Sequence, residues 1–278
     1  MKKFFLAALC LLGMAVVPAQ AQKLHENASL ETSHLWRGLE VGNGLIFNND
    51  VSLSDNNGHF KVGLWGGMST DGDYKEADVY FNFNHSGFNL AVWDLWNFSP
   101  GDPGIPGNGK YFTWAADRTS HLTDVAISYD FKPMCNFPLT LTWATLVQGR
   151  DRGELTRYEE NGPGMRKGEI VASERPDAKN VYSTFVQAAF RLYEDENWNV
   201  DASVGGSFAL SPYKKEIREA YNLQNNLYGK SAGVTDVRLG ATYKLKIGKY
   251  TLPVGGQMMW NPEASKAYFR ATVTLLDI

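Results

Sequence analysis

Thr235-Asp236-Val237-Arg238-Leu239-Gly240-Ala241-Thr242-Tyr243-Lys244-Leu245-Lys246 alternates apolar and polar residues over twelve positions. Successive side chains of an extended chain point to opposite faces. Val237, Leu239, Ala241, Tyr243 and Leu245 therefore share one face, and Asp236, Arg238, Thr242, Lys244 and Lys246 the other. Residues 76–84 repeat the split, with Ala77, Val79, Phe81 and Phe83 against Glu76, Asp78, Tyr80, Asn82 and Asn84. So do residues 122–131, with Val125, Ile127, Tyr129 and Phe131 against Asp124, Ser128 and Asp130. One face of each segment suits lipid and the other suits water.

The same rhythm places strands at 28–37, 44–53, 59–68, 87–98, 138–148, 180–192, 197–210, 250–259 and 266–277, which makes twelve. Connections at 54–58, 85–87, 132–137, 193–196 and 247–249 are short, whereas 99–121, 149–179 and 211–234 are long and all fall at the opposite end. Strands that span hydrocarbon must leave no unpaired edge, and bacterial barrels pair short periplasmic turns with long external loops. The expected fold is all-β: a closed antiparallel transmembrane β-barrel of twelve strands, in the outer membrane of a Gram-negative bacterium. Ten or fourteen strands remain open, should a long loop hold a hairpin or a weak strand be misread. A soluble secreted barrel would instead bury the apolar faces inside.

Lys2 and Lys3 precede an apolar run at 4–17, and Ala19-Gln20-Ala21 offers small residues for cleavage. Residues 1–21 read as a signal peptide and 22–278 as one barrel domain. The apolar run is shorter than the ~20 residues of a spanning helix. Cleavage removes Lys2, Lys3 and Cys10, taking the formal charge from −3 to about −5 and leaving Cys135 without an internal partner. That balance carries no basic stripe for nucleic acid, and a zinc cluster of several cysteines is excluded.

Turn chemistry agrees with the strand positions. Asp55-Asn56-Asn57-Gly58 and His85-Ser86-Gly87 tolerate tight backbone geometry, and the prolines and glycines of 100–109 make an irregular surface connection or a folded-in constriction. Trp65, Trp93, Trp96, Trp143, Trp198 and Trp260, with tyrosines near strand ends, suit interfacial girdles. The last strand sets Ala267, Phe269, Ala271, Val273 and Leu275 against Tyr268, Arg270, Thr272 and Thr274. It resembles the signal read by the barrel insertion machinery, although Ile278 stands where a terminal aromatic is usual.

Leu35-Trp36-Arg37-Gly38-Leu39-Glu40, then a glycine-bearing segment at 63–67, then 80–84, resembles the opening half of the exported proteins designated Gcw_chp. The resemblance covers about residues 28–98. That family is similar to outer-membrane porin-like barrels, so the resemblance implies a compartment and an architecture, with no catalytic residues to carry over.

The candidates for a pore or lumen are Glu76, Asp78, Asp124, Asp130, Arg191, Asp201, Asp236, Arg238, Lys244, Lys246 and Arg270. Opposed charges there set a transverse field or close into ion pairs that fill a narrow barrel. Arg37, beside Gly38, caps the lumen or pairs with Glu40. His34 reads as structural, and Ser120-His121 lacks a nucleophile elbow, so no catalytic residues are named and a membrane hydrolase stays a remote alternative. Asp71-Gly72-Asp73 and the carboxylates at 151–154 lack calcium-loop spacing; no metal and no cofactor are expected. Glu159-Glu160 and Arg166-Lys167 offer charges to lipopolysaccharide. The leading expectation is a narrow passive channel for small polar or charged solutes, in contact with outer-membrane lipid and lipopolysaccharide. The alternative is a closed structural or surface ligand-binding barrel.

Overall fold

The computed structural model describes residues 22–100, 110–114, 119–151, 159–162, 165–167, 179–221 and 223–278. The expected signal peptide, most of the 100–109 connection and Glu154 lie outside the described residues, as do the side chains of the 159–160 and 166–167 charge clusters.

Among the described residues fourteen strands follow in order: β1 (Gln22–Trp36), β2 (Leu39–Asp55), β3 (Phe60–Ser69), β4 (Lys75–His85), β5 (Phe88–Asn97), β6 (His121–Asp130), β7 (Leu139–Gly149), β8 (Glu159–Gly162), β9 (Met165–Lys167), β10 (Ser183–Glu194), β11 (Trp198–Ala209), β12 (Gly233–Ile247), β13 (Tyr250–Asn261) and β14 (Lys266–Asp277). Twelve of them close a barrel in which each strand pairs antiparallel with its neighbours in the chain, and β8–β9 form a small separate hairpin in the long β7–β10 connection. The seam joins β1 to β14, with Leu30 opposite Val273, and the Glu26 and Ile278 backbones exchange hydrogen bonds of 3.1 and 3.0 Å. No barrel strand is left with an open edge, as a hydrocarbon surround requires.

Side-chain direction is inverted relative to a water-soluble domain. Val79, Ile127 and Leu239 are 43%, 46% and 52% exposed, while Asp78 and Asp124 are 4% exposed and Asp236 is fully buried. The apolar faces point outward, which removes the soluble-barrel packing. The interior instead fills with polar groups and aromatic rings. Tyr80 lies flat over Gly63 on the neighbouring strand, and a Cβ there would enter the Tyr80 ring.

The largest boundary departures from the sequence reading fall on the first two strands. β1 begins at Gln22 rather than 28, and β2 begins at Leu39 rather than 44. Asn43-Gly44 sits in a bulged stretch of β2, with the register shifting between Glu31 and Ser33. The real turn is Arg37-Gly38, with φ of 46° and 87°. The 132–137 turn contains a short helix, α1 (Lys132–Cys135), ended by Asn136 in the left-handed region. A second helix, α2 (Lys215–Tyr221), lies in the β11–β12 connection.

Candidate functional site

The site begins at the two-residue turn between β1 and β2. Gly38 is required there: its φ is positive and a Cβ would run into the Thr235 carbonyl. Asn261 Nδ2 donates to the Gly38 carbonyl at 3.0 Å and pins the turn to β13. Arg37 then reaches across to β6, where its guanidinium grips Asp124 through Nη2–Oδ2 at 2.6 Å and Nη1–Oδ1 at 3.1 Å. Nη1 also donates to the Tyr228 hydroxyl at 2.7 Å, and the guanidinium lies 4.9 Å from the Trp36 ring centre. Burial opposes the Arg37 charge, but Tyr228 and Asp124 outweigh it and hold the proton more firmly than usual. The expected Arg37–Glu40 pair is thus corrected: Glu40 accepts from Ser33 Oγ at 2.8 Å, and Asp124 takes the arginine because it offers both oxygens to the planar fork.

Tyr228 belongs to the β11–β12 connection, which folds into the barrel mouth instead of standing out from it. The ring is fully buried against Leu122, Leu146, Phe185 and Leu227. Behind it runs a chain of short hydrogen bonds. Asp151 accepts from the Ser183 amide at 2.7 Å and from Ser183 Oγ at 2.6 Å, and Ser183 Oγ in turn accepts from the Leu227 amide at 2.7 Å. Burial raises the Asp151 pKa to about 6, with the Ser183 bonds limiting the rise. On the other side, Glu263 Oε1 accepts the Lys230 and Ser231 amides at 2.8 and 3.1 Å. The sequence reading passed over Ser183, counted Tyr228 among the tyrosines near strand ends and took Asp151 for an exposed loop carboxylate; the structure instead buries Asp151 and Tyr228 fully, because the connection that carries Tyr228 packs back against the strand ends. Leu223, Leu227 and Tyr228 in a stretch of asparagines and glutamine were the available signal.

Beneath this plug lies a cavity of about 470 Å³ lined by residues of β1 to β6, among them His34, Trp36, Glu40, Trp65, Glu76, Asp78, Trp93, Asn97 and Asp124, with Arg37, Arg150 and Leu227 above. His34 is held by Glu31 at 2.8 Å and stacks on Tyr74. Glu76 accepts from Asn97 Nδ2 at 2.9 Å and from the Tyr74 hydroxyl at 3.2 Å, and Asp78 accepts the Trp96 amide at 3.0 Å. In ring order β4–β6 lie halfway around the barrel from β12–β14. The far wall is basic but paired: Arg238 Nη2 holds Asp236 at 2.6 Å, and Arg270 bonds Glu31 and Gln257, each at 3.1 Å.

The remaining sequence candidates lie at the short-turn end and do not join this constellation. Arg191 pairs with Asp201 and, at 3.4 Å, with Glu194, all three well exposed. Asp130 accepts the Lys132 amide at 3.0 Å, and Lys244 contributes charge near Glu194 and Asp195. Lys246 pairs by backbone register with Thr251 near the same end. Asp124 and Asp130 share a face of β6, yet six residues of strand put about 20 Å between them.

Ser120-His121 does not form a nucleophile pair. His121 Nδ1 faces Asp94 at 2.9 Å and Nε2 faces the Tyr111 carbonyl at 2.6 Å, so both ring nitrogens are engaged. Asp71 is occupied within its own turn by Ser69 Oγ and the Asp73 amide. Among the described residues no group of three or more His, Cys, Asp or Glu is arranged to hold a metal.

No family model and no curated protein matches the chain, so the Gcw_chp resemblance rests on its residues alone. Solved structures do match. The chain is similar to the NanC porin, at 9% identity and a TM-score of 0.43 over 91% of this chain and 98% of that one. It is similar to an outer membrane channel from Pseudomonas putida F1, at 11% identity and a TM-score of 0.42 over 93% and 98%. A variant of the Rh. blastica porin matches at 10% identity and a TM-score of 0.34; the chain covers 55% of that protein's length, about half. Identities this low carry neither a solute nor a site from one protein to another.

Proposed function

We propose that this chain is a Gram-negative outer-membrane barrel that acts as a narrow passive channel for small polar or charged solutes. The observation that carries the reading is the inversion of the strands: apolar side chains outward, charged and polar ones inward around a cavity of about 470 Å³. An apolar belt of this kind, left in water, would drive aggregation; in a bilayer it meets acyl chains. On this reading the long connections face the exterior and lipopolysaccharide, the short turns face the periplasm, and the last strand is presented to the insertion machinery. Transport is diffusion past the plug, biased by an acidic wall on β4–β6. The reading contains no catalytic step and no cofactor.

A second reading, a closed barrel that binds a ligand at its outer end, is favoured by the complete burial of Tyr228 in the barrel mouth. Liposome swelling separates the two. Proteoliposomes holding the folded barrel should swell in small neutral and charged solutes and stop swelling as solute size rises. Absence of swelling with every solute, in vesicles shown to hold folded protein, favours the closed barrel.

A further inference from the structure

Glu76 and Asp78 stand two residues apart on β4, so they share the inner face, and both line the cavity. Asp78 is 4% exposed and lines the cavity. The Trp96 amide on Oδ1 is its one hydrogen-bond donor among the described residues. Two carboxylates on one face of one strand, turned into the same cavity, repel unless a cation lies beside them.

The protein does not supply that cation from its described residues. Among the described residues no ion pair joins an arginine, lysine or histidine to Glu76 or Asp78; Arg37 is committed to Asp124, Arg238 to Asp236 and Arg270 to Glu31, and Arg150, which lines the same cavity, is itself engaged. The groups that do bond the pair, the Tyr74 hydroxyl, the Asn97 amide and the Trp96 backbone, are neutral donors. They orient the oxygens without neutralising them.

Trp65 and Trp93 line the same cavity. Trp93 is braced by Tyr80 at a ring separation of 4.2 Å and Trp65 by His34 at 5.1 Å, so both indoles are held in place before any ligand arrives. Indole faces attract cations and accept alkyl groups, and the cavity volume falls in the range of small-molecule sites, about 300–1,000 Å³.

We propose that this cavity binds a small organic ammonium ion, its head between the Glu76 and Asp78 carboxyls and its alkyl part against Trp65 and Trp93. The inference rests on the channel reading only for the route by which the ligand enters. A neutral polyol would also stack on indole, but it would leave the two carboxyls unneutralised. An anion would meet the acidic wall directly.

The test is a tryptophan-fluorescence titration of the folded barrel in detergent micelles with butylammonium, set beside 1-butanol, butyrate and glucose. Butylammonium should saturate the signal at least tenfold more tightly than 1-butanol or glucose, and butyrate should leave it unchanged. Glu76→Gln with Asp78→Asn should abolish that preference; Glu76→Gln alone, which keeps an acceptor for Asn97 and Tyr74, should weaken it several-fold if the double variant does not fold. Equal binding of butylammonium and 1-butanol, or preferential binding of glucose, overturns the proposal. Conductance recorded on the same preparation keeps the two readings apart. Channel steps without a butylammonium preference overturn the cation site alone, and a clear preference without conductance supports the site while counting against the passage.

Discussion

Arg37 and Asp124 lie 87 residues apart, and their pairing joins the first turn to the sixth strand across the barrel interior. Removing one partner of a buried pair strands the other's charge, at a cost of about 3–5 kcal/mol. Asp124→Asn should therefore lower the denaturant midpoint of the folded barrel markedly, whereas Asp201→Asn, at an exposed pair, should shift it little. Gly38→Ala combines a positive φ with a clash against the Thr235 carbonyl and should destabilise by at least ~1 kcal/mol, read by the same unfolding curve. Asp151 gives a pH signature. Its folded pKa of about 6 lies above the ordinary 3.8, so the folded state binds the proton more tightly than the unfolded one. The contribution is fully present below about pH 4, is lost as pH rises through 6 and is flat above, and the difference is about 3 kcal/mol. Unfolding midpoints measured from pH 4 to pH 8 should fall across that window in the native protein and flatten in Asp151→Asn.

Leu239, midway along β12 and 52% exposed, would lie at the bilayer centre. Leu239→Arg should cost about 2–4 kcal/mol when unfolding is measured from a bilayer, and close to nothing if that surface meets water. This face was legible in the sequence because a strand's period of two sorts Leu239 from Arg238 with no knowledge of its neighbours. On the opposite face Glu76, Asp78 and Asp124 line the cavity, and Asp236 is fully buried beside Arg238. Their partners were not legible. Whether Arg238 bonds Asp236 or another wall depends on closure and register, which are properties of the assembled sheet. The start of β1 was obscured by the polar run at 25–27, and β2 by Asn43-Gly44, whose turn chemistry is absorbed by a bulge.

At the scale of the whole molecule, ring order sets the acidic β4–β6 wall opposite the arginines of β12–β14, and the β11–β12 connection closes over both. Alternation foretold the barrel but not the plug, since a connection has no period to reveal which way it folds. The plug makes a demand on conduction: Tyr228 occupies the mouth, so taking away its ring should widen the passage and leave the barrel wall intact. Single-channel recording of the folded protein and of Tyr228→Ala in planar bilayers tests this most directly. Small steps in the native protein and clearly larger ones in the variant are the predicted result. Silence from both, with insertion and folding verified, would contradict a passage through this barrel.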